Sequence, residues 1–109
     1  MISVAVTLGA DENLVFVEAS GHAGKGKPGT DIVCAAVTVL LRTTAGVLTG
    51  RGLAAEVKTA GRGTLSVRVT AGTGADVPLL RYAAAFLLEG LGSLAGEYPD
   101  AVEMNVLHE

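Results

Sequence analysis

The only cysteine in the chain, Cys34, lies twelve positions after His22, in a segment unlike the rest: GHAGKGKPGTDIVCAAVT, residues 21–38. Thiol and imidazole are the two groups that nucleophilic catalysis by cysteine requires. The thiolate attacks a carbonyl carbon, and the imidazole takes the thiol proton and returns it to the leaving amine. Asp31 lies one helical turn before Cys34. It reads in two ways: as the third group that orients His22, or as a helix cap. Gly21 permits a sharp exit from the element before it. A plainer reading stands beside the catalytic one. Free cysteine is a common small buried hydrophobe, and Val33, Ala35 and Ala36 around it suit a core helix.

Two other chemistries fit the segment less well. Gly21 to Lys27 matches G-x-x-x-x-G-K, but the next position of a phosphate loop is a Ser or Thr that holds Mg²⁺, and here it is Pro28. His22, Asp31, Cys34 and His108 are possible metal ligands, but their spacing matches no zinc signature, and His108 is expected to fray as the penultimate residue. No metal or cofactor is expected.

The elements that must position Cys34 and His22 are legible as periodicities. Ile2, Val4, Val6 and Leu8 alternate with smaller or polar residues, as a half-buried strand does, and Leu14–Ser20 follows as its hairpin partner. Gly21–Thr30 holds four glycines and one proline and reads as a loop, a candidate lid over a substrate, with Lys25 and Lys27 in it. A helix then begins, capped by Thr30 or Asp31, with Val33, Val37, Leu40, Leu41, Thr44 and Leu48 as its apolar stripe and Gly50 and Gly52 at its end. Cys34 falls at its third or fourth position, where unpaired N–H groups and the positive end of the helix dipole favour a thiolate. Strands follow from Leu53 to Thr59 and from Leu65 to Thr70, joined by a tight turn at residues 60–63. Asp76 is expected to cap a second helix that has Pro78 in its first turn and buries Leu80, Ala83, Ala84, Leu87, Leu91 and Leu94. Val102, Met104 and Val106 alternate in a last strand. The order ββαββαβ predicts an α+β fold, a mostly antiparallel sheet packed with two helices, in a single small domain over residues 1–109.

Composition excludes several classes. One cysteine makes no internal disulfide, which removes the disulfide-framed secreted domains. A net charge of −3 and four Phe and Tyr residues with no Trp argue against a nucleic-acid partner. No uninterrupted apolar run reaches the roughly 18–20 residues of a membrane span, and the N-terminus lacks the basic flank of a signal peptide. The expectation is a cytoplasmic protein with no membrane partner.

The eighteen residues 21–38 also resemble a known signature. Gly21-His22-Ala23, a loop ending in Gly29, and Asp31-Ile32-Val33-Cys34-Ala35-Ala36-Val37-Thr38 look like the Prp family of ribosomal-processing cysteine proteases, with the His-to-Cys spacing intact. The length and the order of elements agree over the whole chain. The resemblance implies a small cytoplasmic homodimer that removes a short N-terminal extension from a large-subunit ribosomal protein, after a hydrophobic, aromatic-containing stretch. It implies His22 and Cys34 as the catalytic pair, with Gly21, Asp31 and Thr38 in support. Thr38 stands where the family usually has Ser, keeping the hydroxyl and adding a methyl. The loop interior, Lys25-Gly26-Lys27-Pro28, is more basic and richer in Gly and Pro than the family pattern, which bears on substrate preference. The alternative from another class is a non-enzymatic dimeric α+β module that binds a ribosomal or other protein.

Overall fold

A computed structural model describes residues 1–21, 30–60 and 63–109, without the side chains of Thr30 and Asp31. The loop that contains His22, Lys25 and Lys27, and the Gly61-Arg62 turn, lie outside the described residues. Among those described, the chain runs β1 (Ile2–Leu8), β2 (Leu14–Ser20), α1 (Thr30–Gly50), β3 (Ala54–Thr59), β4 (Thr64–Ala71), a 3₁₀ turn (Gly74–Asp76), α2 (Val77–Glu97) and β5 (Val102–His108). This is the expected ββαββαβ order.

The strands form one sheet in the order β3-β4-β2-β1-β5. The β1–β2, β2–β4 and β3–β4 pairs are antiparallel, and β5 returns parallel to β1, pairing Ile2 with Val102 and Leu8 with His108. A parallel return needs a crossover long enough to carry a helix, and α2 supplies it. Alternation sets which face is covered: Ile2, Val4, Val6 and Leu8 are buried, while Ser3 faces away and donates its hydroxyl to Glu103 Oε1 at 2.7 Å. Along β2 the buried residues are Leu14, Val17 and Ala19, a spacing that breaks strict alternation. The reason is a bulge: Leu8 pairs with Leu14 and Thr7 with Phe16, leaving Val15 as the extra residue.

Both helices cover the same face of the sheet. Helix α1 buries Val33, Val37, Leu41, Thr44, Ala45 and Leu48, and α2 buries Leu80, Ala83, Ala84, Leu87 and Leu91. Leu40 and Leu94, expected in these stripes, are only partly buried. Leu40 instead packs toward α2, where a Cβ on Gly90 would come within 3.1 Å of its side chain. Thr44 is buried at no polar cost because its hydroxyl donates to the Leu40 carbonyl at 2.8 Å. Each fully buried leucine contributes about 2 kcal/mol, so the sheet-facing stripes dominate the stability.

Helix ends differ in part from the sequence expectation. Helix α1 is described from Thr30, and the capping expected of Thr30 or Asp31 lies outside the described side chains. It ends as expected: Gly52 has φ +86°, its N–H donates to the Thr49 carbonyl, and the Leu53 N–H donates to the Leu48 carbonyl. This is a Schellman closure, with Leu48 and Leu53 both buried. Asp76 precedes α2 but does not cap it; its carboxylate accepts from the Thr73 N–H at 2.8 Å and closes the 3₁₀ turn instead. Pro78 lies in the first turn of α2, as expected.

The helices are apolar on average although the sequence holds no long unbroken apolar run. Averaged over eighteen residues, Ile32–Gly50 and Gly74–Glu97 are both long and apolar enough to cross a membrane. Arg42 and Arg81 break the runs, while the alanine-rich remainder keeps the average apolar. In the fold each helix lies along the sheet with one face against it, and both also carry exposed apolar side chains, including Val39 at 61% exposure and Tyr82 at 70%.

Candidate active site

Cys34 is the fifth residue of α1, slightly deeper than expected, because the helix starts at Thr30. Its Cα–Cβ bond, like that of every helical residue, tilts toward the helix N-terminus. The thiol therefore leans back over the first turn, whose N–H groups have no partner within the helix. Cys34 is half-buried and packs against the core. It opens into a cleft of about 240 Å³.

The cleft is assembled from three parts of the chain. One wall is a stripe of α1 at four-residue spacing, Cys34, Thr38 and Arg42. The floor crosses the ends of the strands: Thr59 pairs with Leu65, and Leu65 with Ala19, so these side chains form a row on the helix-covered face, with Ile2 beyond. The rim is glycine. The Gly21 N–H donates to the Gly63 carbonyl at 2.9 Å, tying the end of β2 to the start of β4. Gly21 has φ +117°, and a Cβ there would run into the Met1 carbonyl oxygen, so the sharp exit from β2 admits no side chain. Gly63, at φ +82°, makes the matching turn into β4.

The structure thus brings Cys34, Thr38 and Gly21 to one cleft. His22 and the side chain of Asp31 lie outside the described residues; in the chain, His22 is bonded directly to the rim residue Gly21. His108 is separated from this site. It ends β5 opposite Leu8, six residues along β1 from Ile2 and so about 20 Å away. Nor is it a frayed tail, because it completes the β1 pairing and its Nε2 lies 3.5 Å from the Glu12 carboxylate.

Sequence reasoning missed the floor and the charged wall. Ile2, Ala19 and Leu65 obey the same alternation as the core, and nothing in their types separates a cleft floor from a core layer. Arg42 is the one charged side chain among the described lining residues. Its signal was the four-residue spacing from Thr38.

The fold that carries this cleft recurs in known structures. The structure of SMU.848 from Streptococcus mutans superposes with a TM-score of 0.80 at 25% identity, covering 100% of this chain and 96% of that one. The essential ribosomal processing protease Prp from S. aureus, in complex with a substrate peptide, superposes with a TM-score of 0.80 at 21% identity, covering 97% of this chain and 99% of that one. The same protease with a covalently linked product peptide gives a TM-score of 0.78 at 24% identity over the same shares. No curated protein matches the sequence. A family model does: that of cysteine protease Prp, over residues 1–103. With the match spanning nearly the whole domain and Cys34 set in the cleft, the chain belongs to the cysteine protease Prp family.

Proposed function

We propose that this cysteine protease is an endopeptidase that removes the short N-terminal extension of a large-subunit ribosomal protein, using Cys34 and His22. The observation that carries the reading is the placement of the single thiol: in the second turn of α1, half-buried, and open to a cleft of about 240 Å³. The substrate class comes from the S. aureus relative, which is a ribosomal processing protease.

In this mechanism the Cys34 thiolate adds to the scissile carbonyl carbon, and the carbonyl π electrons move onto oxygen. Unpaired N–H groups in the first turn of α1 hold that oxyanion. The C–N bond then breaks, His22 gives its proton to the departing amine, and the acyl group stays on sulfur as a thioester. Water, deprotonated by His22, hydrolyses the thioester and restores the thiol. Gly21 turns the chain so that the next residue, His22, starts at the cleft rim. Asp31 adds negative charge to the first turn of α1, and Thr38 lines the cleft one turn beyond Cys34.

The working environment follows from the same groups. A thiol nucleophile must stay reduced, which favours the cytoplasm, where ribosomal proteins are also made. The net charge of −3 favours a protein substrate over a nucleic acid. We assign a homodimer as the working form, because the helical layer leaves Val39, Tyr82 and Phe86 exposed at 61%, 70% and 42%. An apolar face of this kind marks an interaction surface, and a two-fold pair is the commonest way to cover one. Light scattering is expected to give twice the 10.9 kDa chain mass for the wild type and a single chain mass for Tyr82→Glu/Val39→Glu. A wild-type monomer at micromolar concentration contradicts the dimer.

The test of the function is direct. The purified protein is incubated with the host's own ribosomal protein carrying its N-terminal extension, and the products are weighed by mass spectrometry. The expected result is a single cut that releases the extension. An intact substrate after prolonged incubation contradicts the assignment and favours the binding-module alternative.

A further inference from the structure

We infer that the free edge of β3 is part of the substrate-binding surface: the extended peptide adds beside it as a sixth strand, then turns into the cleft toward Cys34. The inference rests on the endopeptidase reading above and concerns how the same site grips its substrate.

Strand β3 is an edge strand with β4 on one side and no neighbour among the described residues on the other. The pairing decides which backbone groups are free. The Ala60 N–H donates to the Thr64 carbonyl, and Lys58 faces Ser66 and Glu56 faces Arg68 in the same two-residue phase. Those even-numbered residues spend their N–H and C=O groups on β4. Val57 and Thr59 therefore direct theirs outward, a donor and an acceptor each, with the spacing that an added strand requires.

Three features distinguish this edge from an ordinary one. Its cleft-side face is partly uncovered: α1 packs against β3, yet Val57, which pairs with the fully buried Val67, is 40% exposed. Thr59 is itself a lining residue of the Cys34 cleft, so the edge leads to the nucleophile without a break. The charges of the strand stay off this face, since Glu56 and Lys58 project from the opposite one and pair with each other at 2.9 Å. The other edge of the sheet, β5, has no residue in the cleft. The occupant is thus an extended main chain with a small or apolar side chain over Val57. Recognition of this kind reads backbone first, which suits a protease that must hold an unstructured N-terminal extension.

The experiment uses the wild-type enzyme and a set of peptides spanning the cleavage site, each N-methylated at one backbone nitrogen. On the side of the scissile bond held by β3, kcat/KM is expected to fall about fivefold at every second position, the value of one hydrogen bond, and to hold at the positions between. Val57→Pro removes one outward donor without touching the β3–β4 ladder, and is expected to raise KM for the parent peptide about fivefold. Thermal melting of that variant separates lost binding from lost folding. A flat or non-alternating N-methyl profile overturns the edge-strand inference while leaving the endopeptidase intact, and does so whether or not the proline variant folds. Failure to cleave the unmodified parent peptide overturns the endopeptidase reading, and this inference with it.

Discussion

Cys34→Ala is expected to abolish peptide cleavage, by at least about a thousandfold, while leaving the fold and substrate binding in place. The magnitude follows from the chemistry. Without sulfur no thioester forms, and the remaining cleft offers only positioning and oxyanion donors to an attacking water. The fold should tolerate the change because Cys34 is only half-buried, and its neighbours on the sheet-facing side, Val33 and Val37, carry the packing. The check pairs a cleavage assay with thermal melting and with peptide binding by fluorescence anisotropy. Retained cleavage in Cys34→Ala contradicts the account; lost cleavage with a collapsed melting curve would make the residue structural.

The second large effect is expected at His22. His22→Ala should lower kcat by roughly a hundredfold to ten-thousandfold, the range of a general acid–base group, with a much smaller change in KM. The imidazole acts at two moments, taking the thiol proton and protonating the leaving amine, so its loss slows chemistry more than binding. Two readouts separate this role from a structural one. Alkylation of Cys34 by iodoacetamide should slow in the variant, and added imidazole should restore part of the turnover. Wild-type alkylation no faster than that of a model thiol, together with unchanged turnover in His22→Ala, contradicts an activated Cys–His pair.

The outline of the fold was written in local patterns. Alternation in β1, the glycine at 52 that ends α1, and the spacing of Leu80, Leu87 and Leu91 in α2 each report on neighbours a few residues away, and each was readable. The parallel return of β5 to β1 was not, because pairing across a hundred residues leaves no mark on either strand alone. Local rules also misplace details where a polar side chain has two uses. Asp76 has the look of a helix cap, but its carboxylate closes the turn before the helix. Run length and average hydropathy also report different things: Arg42 and Arg81 break the runs, while alanine-rich helices stay apolar on average.

The site was legible only in part. Cys34 and Gly21 stand out by residue type and place, Thr38 only through the family resemblance, and the fold places all three at one cleft. Ile2, Ala19 and Leu65 did not stand out, because a cleft floor is made of the same alternating residues as a core and differs only in what lies above it. Thr59 and the edge of β3 acquire meaning only once the strand order is known. The backbone demand at Gly21 was visible as a glycine at a strand exit; the clash with the Met1 carbonyl that makes it strict is a tertiary fact.

The single cysteine makes the central claim open to one decisive measurement, because any thiol label can sit in only one place. A peptide that matches the acyl side of the cleavage site and ends in a vinyl sulfone is titrated against the wild-type enzyme, and adduct mass and residual activity are followed together. The account predicts one adduct per chain, mapped to Cys34, with activity falling in strict proportion to labelling. Activity that survives full labelling of Cys34, or that is lost while Cys34 remains unlabelled, would contradict it.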